Sequence, residues 1–425
     1  MRLNFLRIIL LALALALALP ISAQAGSTGG VEFAPSEEQG PKVDETVARL
    51  ADEKSRVNVI VYGSDAVGAL TRIGASEIEF LALLDAARGS VRSSAVDELG
   101  RDAGVSYLVV DAPVERTDSD DDDLLPALSF PLLTTLYPQI DQAPAAWRQG
   151  YDGSGIGIAV IDSGVTPTAD FGSRLTQVRL ASSGTSLEDA YGHGTFVAGV
   201  AAGESGDGRY VGIAPGADIY SLNVARGDGV FTSDVIAALN WVYNNRQARN
   251  IRVAVLSLGE TLPSSYKTSA LDAAVEILWR AGVVVVVSAG NAGPDTAQYA
   301  PANDPFAITV GASDPNDTLG TLDDTIASFS TYGHTLDGFL KPDLVAPGRH
   351  VVAPVPAGTT LDRTAPDANH VEPGYLRANG TSFSAPQVAG AVAILLQHDP
   401  KLTPDQVKWL LQQTTRGSVS GTPGG

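Results

Sequence analysis

The sequence predicts an α/β protein with a doubly wound, mainly parallel sheet and helices on both faces. From about residue 140, short runs of Val, Ile and Ala alternate with Gly-rich turns and helical stretches; the runs cover residues 156–161, 253–258, 283–288 and 307–310. Nearly continuous apolar strands are typical of a parallel sheet that is covered on both faces. Ligands of such sheets bind beyond the carboxyl ends of the strands, so polar residues there are the first candidates for a site.

An export signal is predicted for residues 1–25. Two arginines precede an apolar run over residues 8–19, and Ala23-Gln24-Ala25 fits a small-residue cleavage site. The run is too short to span a bilayer comfortably, and Pro20 follows it. We therefore expect a secreted or periplasmic protein without a stable membrane span.

Composition excludes some classes of function. The chain has 425 residues, no Cys and a formal net charge of −20. A cysteine nucleophile is therefore excluded. Nucleic acid and anionic membranes are disfavoured as partners, since both attract Lys and Arg rather than carboxylates. The length suits a main domain with a smaller companion.

A small α+β domain is predicted over residues 53–117, after a loose leader over residues 26–52 that is rich in Gly, Glu and Pro. Its patterns predict two strands, over residues 57–62 and 105–110, and two helices, over residues 76–88 and 90–102. An acidic linker over residues 118–137 follows, where successive Asp residues repel one another and favour a solvated spacer over an ion site. The main domain is predicted over residues 138–425.

Two strand ends carry an acid and a base. Asp162 ends the apolar strand that precedes Ser163-Gly164, and His193 lies between two glycines ahead of a helix of small residues. The glycines let other groups approach the imidazole closely, which suits a catalytic base. Taken alone, Asp162 is better explained as a turn residue, and a lone histidine such as His193 is more often structural.

Two further positions carry an amide and a hydroxyl. Asn291 follows the run at 283–288, where its side chain can donate to a ligand. Ser382 stands at the entrance of a helix predicted over residues 387–397, where free N–H groups favour a developing negative charge. Taken alone, Asn291 fits a turn and Ser382 a helix cap, and Ser384 is a second candidate nucleophile.

Together these residues supply a nucleophile, a base, an orienting carboxylate and an oxyanion donor, which is the inventory for acyl transfer. The chain resembles the subtilisin-like serine peptidases over roughly residues 138–415. Their three catalytic motifs occur here at residues 160–164, 192–195 and 380–386. The order Asp, His, Ser along the chain is also theirs.

The resemblance implies a secreted serine endopeptidase that hydrolyses peptide bonds through an acyl-enzyme on Ser382. His193 would act as base, Asp162 would orient it, and Asn291 would bind the oxyanion together with the Ser382 backbone N–H. The domain at 53–117 would be a propeptide that assists folding and inhibits its own enzyme. The chain would then be a self-processed zymogen, cleaved between about residues 118 and 142.

The resemblance also implies where protein or peptide substrates bind. They would lie extended along residues 224–230 and along Ser257, Leu258 and Gly259, with Gly259 and Gly290 forming a pocket wall. Such a pocket accepts large apolar side chains, whereas Glu260 beside it would favour basic or polar ones.

The chemistry implied by the resemblance requires no cofactor. Relatives often bind a structural calcium ion near residues 202–208, but this segment lacks a clear ligand pattern, so calcium is left open and no metal ligand is assigned. After a helix predicted over residues 403–413 the chain ends earlier than relatives usually do, so the sequence is interpreted either as shortened or as C-terminally incomplete.

Two other functions remain. A catalytically inactive peptide-binding module could keep the fold, although such a module would not need Asp162, His193, Asn291 and Ser382 together. A lipase or esterase would also use acyl transfer. The absence of Gly-x-Ser-x-Gly around Ser382 gives no support to an α/β-hydrolase.

Overall fold

The computed structural model describes residues 42–117, 135–180, 187–225 and 229–415. The predicted signal at 1–25, the leader up to residue 41 and residues 118–134 of the linker predicted over 118–137 lie outside the described residues.

The first part of the chain forms an antiparallel four-stranded sheet in the order β2-β3-β1-β4, with helices packed against it. Its elements are α1 (Glu45–Glu53), β1 (Arg56–Tyr62), α2 (Ala66–Arg72), β2 (Ser76–Leu81), β3 (Ala86–Arg92), α3 (Val96–Arg101), β4 (Tyr107–Val110) and β5 (Pro113–Arg116). A separate apolar core that includes Val47, Val59 and Leu108 holds this unit together.

Two predictions for this unit are wrong. The helix predicted over 76–88 is the pair of strands β2 and β3, and the helix predicted over 90–102 begins as strand and becomes helical only at Ser93. Ala86 and Ala87 favour a helix locally, but β3 is buried between β1 and β2, and tertiary burial outweighs local propensity. The loose leader predicted up to residue 52 is also wrong in its last residues, because α1 buries Val47 and Leu50.

The main part of the chain forms an eight-stranded sheet in the order β14-β13-β12-β10-β6-β8-β7, with β17 also paired to β13. Every pairing in it is parallel except that of β13 with β14. Its strands are β6 (Gly157–Asp162), β7 (Leu175–Val178), β8 (Asp218–Asn223), β10 (Ile251–Leu256), β12 (Val284–Ser288), β13 (Ile308–Asp314), β14 (Thr325–Ile326) and β17 (Leu344–Pro347).

Two pairs of helices pack on this sheet, α6 with α10 and α7 with α8. The helices after the linker are α4 (Tyr137–Ile140), α5 (Ala143–Trp147), α6 (His193–Ala202), α7 (Thr232–Asn245), α8 (Ala270–Arg280), α9 (Thr360–Thr364), α10 (Thr381–His398) and α11 (Pro404–Thr414). The predicted α/β fold with a mainly parallel sheet is confirmed.

Short strands complete the fold outside the large sheet. They are β9 (Val230–Phe231), β11 (Leu258–Glu260), β15 (Gly333–His334), β16 (Leu340–Lys341), β18 (Val351–Pro354), β19 (His370–Glu372) and β20 (Tyr375–Ala378). The strand β5 of the first unit lies antiparallel between β11 and β9. The two parts of the chain therefore share one three-stranded sheet.

The order of strands fixes where a site can form. The chain leaves β6 to build β7 and β8 on one side and then crosses to β10 and β12 on the other. The carboxyl end of β6 is thus a switch point, where connections diverge and leave a crevice. Asp162 is the last residue of β6.

The described helices can be compared with the length and hydropathy that a membrane span requires. Within residues 42–117, 135–180, 187–225 and 229–415, no helix combines the length and apolar character needed to cross a membrane.

We predict that Gly199→Ala destabilises the protein by about 1–3 kcal/mol, the usual cost of overpacking a core. The helix α6 is buried along its whole length, and a Cβ at Gly199 would lie 2.3 Å from Cδ of Pro354. Thermal or denaturant unfolding measures the change. Gly206→Ala is the matched control, because a Cβ there meets no atom within 4 Å; equal unfolding midpoints for the two variants would contradict the packing argument.

Candidate active site

The core of the site is a buried pair, Asp162 and His193. The helix α6 begins at His193, directly after Gly192, whose φ of 99° favours glycine. Nδ1 of His193 lies 2.8 Å from Oδ1 and 2.9 Å from Oδ2 of Asp162, and both side chains are fully buried. A carboxylate at Nδ1 holds the proton on that nitrogen and leaves Nε2 as the basic one.

The Asp162 carboxylate is fixed by further donors. Its Oδ1 accepts hydrogen bonds from the backbone N–H of Ser163 at 2.7 Å and from the Ser163 hydroxyl at 3.1 Å. A Cβ at Gly194 would lie only 2.1 Å from the carbonyl oxygen of Gly164, so the start of α6 packs directly against the turn after β6. Gly194 is therefore needed for this close packing of α6 against the turn, whereas the sequence predicted that the glycines would admit other groups to the imidazole.

A second buried carboxylate, that of Asp189, ties these segments together. Its Oδ1 accepts from the Ser163 hydroxyl at 2.8 Å and from the Gly192 N–H at 2.7 Å. Its Oδ2 accepts from the N–H and the hydroxyl of Thr195, both at 2.8 Å. Burial raises the pKa of Asp189 above its ordinary value, while these hydrogen bonds lower it. Sequence analysis missed Asp189; the signal was an Asp standing just ahead of a helix start.

Ser382 lies in the first turn of α10, which begins at Thr381 rather than at residue 387 as predicted. Pro386 lies within the helix and has no N–H to donate to the carbonyl four residues earlier, that of Ser382. The hydroxyl of Ser257 donates to this carbonyl instead, at 2.8 Å. The helix can therefore start early despite the proline.

The neighbours of Ser382 distinguish it from Ser384. The Ser384 hydroxyl donates to the carbonyls of Ala346 and Pro347, at 3.0 and 3.3 Å, on β17. The Ser382 hydroxyl lies instead 2.6 Å from the hydroxyl of Thr117 and 3.3 Å from the carbonyl of Ser257. Phe383 packs its ring 5.5 Å from that of His193, so the first turn of α10 lies against the imidazole.

Asn291 is positioned by the same turn of α10. Its Oδ1 accepts from the N–H of Thr381 at 3.0 Å, and Gly290 N–H donates to the Thr381 hydroxyl at 3.1 Å. With Oδ1 so engaged, Nδ2 of Asn291 points outward and donates to the carbonyl of Thr117. The φ of 103° at Gly290 gives the chain its sharp turn after β12.

One carbonyl of the first unit occupies this site. Besides Asn291, the backbone N–H of Ser382 also donates to the Thr117 carbonyl, at 3.3 Å. Two donors on one carbonyl oxygen are the arrangement of an oxyanion hole. Sequence analysis did not identify Thr117, because nothing in a run of residues tells which segment will fold back onto a distant strand.

The predicted substrate stretches pair with the segment before Thr117. Leu258 pairs with Arg116 and Gly259 with Glu115 in β11, and Val230 of β9 pairs with Val114. Ser257, at the start of this edge, accepts a hydrogen bond on its carbonyl from Thr117 N–H at 3.4 Å. Residues 226–228 of the other predicted stretch lie outside the described residues.

Glu260 was predicted to lie beside the substrate pocket and to favour basic or polar side chains there. In the structure its carboxylate contacts other groups. Its carboxylate accepts a hydrogen bond from the hydroxyl of Thr232 at 2.6 Å, and the residue as a whole is only 9% exposed. Burial raises the pKa of Glu260 to about 7. The carboxylate therefore lies in the contact with the first unit.

The segment at 202–208 offers little to a cation. Asp207 accepts from Arg209 at 2.6 Å and from the Ser205 hydroxyl at 2.8 Å. In the part of the chain that the structure describes, no three or more His, Asp or Glu side chains are grouped to hold a metal ion.

The main part of the chain is similar to known proteins. A family model described as the subtilase family matches residues 153–424. Serine protease AprX of Bacillus subtilis (strain 168) is 36% identical over 277 residues, which are 63% of this chain and 62% of that protein. Subtilisin BL of Lederbergia lenta is 35% identical over 274 residues, which are 64% of this chain and 88% of that protein.

A solved structure matches a larger part of the chain. It is that of fervidolysin from Fervidobacterium pennivorans, described as a keratinolytic enzyme related to subtilisin. The likeness covers 85% of this chain and 57% of that one, with a TM-score of 0.66 and 24% identity, so it concerns the fold. The chain spans less than two thirds of the length of AprX and of fervidolysin.

We predict that Asp189→Asn lowers kcat for a peptide substrate by roughly tenfold to a hundredfold, since misplacing reacting groups by about 1 Å has effects of that order. In either orientation, the NH2 group of the amide introduced at position 189 would face hydrogen-bond donors, which are those of Thr195 or those of Ser163 and Gly192. This repulsion would move the start of α6. Glu188→Gln, a change at the exposed neighbouring residue, is the control. Steady-state kinetics and a melting curve test this; an unchanged kcat in a folded Asp189→Asn protein would contradict it.

Proposed function

Since the chain belongs to the subtilase family, we propose that it is a serine endopeptidase, made as a zymogen that processes itself. Ser382 is the nucleophile, His193 the base, Asp162 the residue that orients the base, and Asn291 the side-chain oxyanion donor. Substrates are proteins or peptides bound in extended form. Residues 1–25 direct its export, and the chemistry uses no metal or cofactor.

The single observation that carries this proposal is the position of the Thr117 carbonyl. It accepts from both Asn291 and the Ser382 N–H, and the chain before it pairs antiparallel with β11. A peptide carbonyl bound in this way is presented to the Ser382 hydroxyl as a scissile carbonyl would be. An inactive binding module needs the strand pairing alone, and would need neither two donors on one carbonyl nor the buried pair of Asp162 and His193.

The proposed reaction has two halves. Ser382 Oγ attacks the carbonyl carbon while His193 Nε2 takes its proton, and the oxyanion is held by Asn291 Nδ2 and the Ser382 N–H. The C–N bond then breaks as His193 returns the proton to the leaving amine. Water next attacks the acyl ester, again with His193 as base, and releases the acid and the free Ser382. Asp162 stabilises the charged imidazole in both halves.

The proposed inhibitor is the unit formed by residues 42–117. Its strand β5 occupies the edge at which a substrate would pair, and it makes a second contact at the start of α7. There the carboxylate of Asp111 accepts from the N–H of Ser233 at 2.9 Å and from its hydroxyl at 2.8 Å. A carboxylate at a helix N-terminus satisfies a free N–H and is favoured by the helix dipole. Arg88 lies 3.7 Å from the same carboxylate.

We predict that the purified protein is cleaved after Thr117, giving a product that begins at Asp118, and that Ser382→Ala abolishes this cleavage. The variant keeps the fold and the bound strand but has no nucleophile. Intact mass spectrometry of both proteins identifies the bond. A fluorophosphonate probe should label the wild-type protein and leave Ser382→Ala unlabelled.

Ser384→Ala serves as the matched control for this experiment. Its hydroxyl bonds to β17, away from the Thr117 carbonyl, so cleavage should continue in this variant. Cleavage of Ser382→Ala at the wild-type rate would refute the proposed nucleophile. Loss of cleavage in a folded Ser384→Ala together with its retention in Ser382→Ala would exchange the two roles.

We predict that the processed inhibitor dissociates more readily as pH rises through about 6 to 7. Burial raises the pKa of Asp111 to about 6 and that of Glu260 to about 7, and the nearby Asp111 carboxylate also raises the pKa of Glu260. Asp111 also faces Arg88, Ser233 and Asp234, and Glu260 faces Thr232 and Tyr62. The complex therefore holds protons that the separated parts release, so low pH favours the complex, by at most about tenfold per pH unit for each group.

The measurement is the rate of peptide hydrolysis after dilution of the processed complex at pH 5 to 8. Each rate is divided by that of the inhibitor-free enzyme at the same pH, which removes the pH dependence of the hydrolysis itself. Glu260→Gln should flatten the dependence between about pH 5 and 7, because above this range the Glu260 carboxylate is ionised both in the complex and in the free enzyme. If the inhibitor dissociated less readily as the pH rises, the predicted direction of the pH dependence would be wrong.

A further inference from the structure

The strand β5 and Thr117 lie where a substrate would bind, so their side-chain contacts identify the substrate pockets. Counting back from the carbonyl in the oxyanion hole, Thr117 occupies the first subsite (P1), Arg116 the second (P2), Glu115 the third and Val114 the fourth. Their exposure alternates as expected for a strand: Glu115 is exposed and Val114 is buried. The side chains of Thr117 and Arg116 are therefore those nearest the reacting atoms.

The first subsite contains a hydroxyl that contacts the Thr117 side chain. The Ser288 hydroxyl, at the end of β12 and 1% exposed, lies 2.5 Å from Oγ1 of Thr117. A buried hydroxyl placed against the P1 side chain favours a residue that can hydrogen-bond to it. It disfavours an apolar residue of the same shape, because that residue leaves the hydroxyl without this partner.

The second subsite contains an aromatic face for a cation. The guanidinium carbon of Arg116 lies 3.6 Å from the ring centroid of Tyr191. Tyr191 stands two residues before His193, and their rings are 6.5 Å apart. A planar guanidinium stacks on such a ring better than a hydrated ammonium does, so the contact favours Arg over Lys.

We propose, on the basis of the peptidase function above, that Ser288 and Tyr191 determine specificity and that the enzyme prefers to cleave after Thr when Arg precedes it. Ser288 recognises the hydroxyl at P1, and Tyr191 recognises the guanidinium at P2. The third residue contributes little, since Glu115 is exposed. The preferred substrate class is thus an extended, polar Arg-Thr segment.

The test uses the processed wild-type enzyme and four p-nitroanilide peptides that place the leaving group after the fourth residue. The reference peptide is acetyl-Val-Glu-Arg-Thr, and the others carry Val for Thr, Ala for Arg, or Gln for Glu. Replacing Thr by Val or Arg by Ala should lower kcat/KM by about threefold to tenfold each, as expected for one hydrogen bond or one cation–π contact. Replacing Glu by Gln should change it less than twofold, that is, by about the 0.5 kcal/mol typical of an exposed site or less.

Two variants separate the subsites. In Ser288→Ala the ratio of the Thr to the Val peptide should fall at least threefold, while the ratio of the Arg to the Ala peptide stays as in the wild type. In Tyr191→Leu the Arg preference should be lost and the Thr preference kept. Ratios measured on one enzyme are insensitive to any general loss of activity from a shift of His193.

The outcomes distinguish this proposal from the one on which it rests. Wild-type hydrolysis of casein or of any of the peptides, with preference ratios unaltered by either variant, would overturn the roles of Ser288 and Tyr191 and leave the peptidase intact. Failure of the wild-type protein both to cleave itself and to hydrolyse casein or any of the peptides would overturn the peptidase function itself.

Discussion

The site depends on a charge held inside the protein. Asp162 lies at the carboxyl end of a buried strand, and its carboxylate needs donors in place of water. His193 and Ser163 provide them, and Asp189 in turn holds Ser163 and the first turn of α6. The position of the imidazole is therefore a consequence of satisfying one buried anion. The small residues of α6 and the glycines around His193 are what allow the helix to approach it so closely.

The sequence predicted the features that are local to one segment. Strand ends, glycine-flanked turns and apolar runs gave the α/β fold and brought Asp162, His193, Asn291 and Ser382 forward as candidates. It failed where distant packing decides the structure. Residues 86–92 begin with two alanines but lie in the middle of a sheet, and α1 gains its order by burying Val47 and Leu50 against strands that come later.

The same distinction explains the residues that were missed. Asp189 matters because it accepts a hydrogen bond from another segment, the turn after β6. Ser257 was predicted to bind substrate, but it was not predicted that its hydroxyl donates to the carbonyl that Pro386 leaves without a helical donor. Thr117 matters because β5 pairs with β11, more than a hundred positions later in the chain. Such pairings have no mark in one sequence, since any extended polar segment could make them.

The pairing of β5 on both of its edges has a consequence for target proteins. Val114 is hydrogen-bonded into both β11 and β9, so a segment in this position must have the N–H and C=O groups of both sides free. Strands inside sheets and residues inside helices have already used those groups. A native target would thus be cut only at loops, frayed ends or segments that open transiently, and the local opening equilibrium of the target would govern its lifetime.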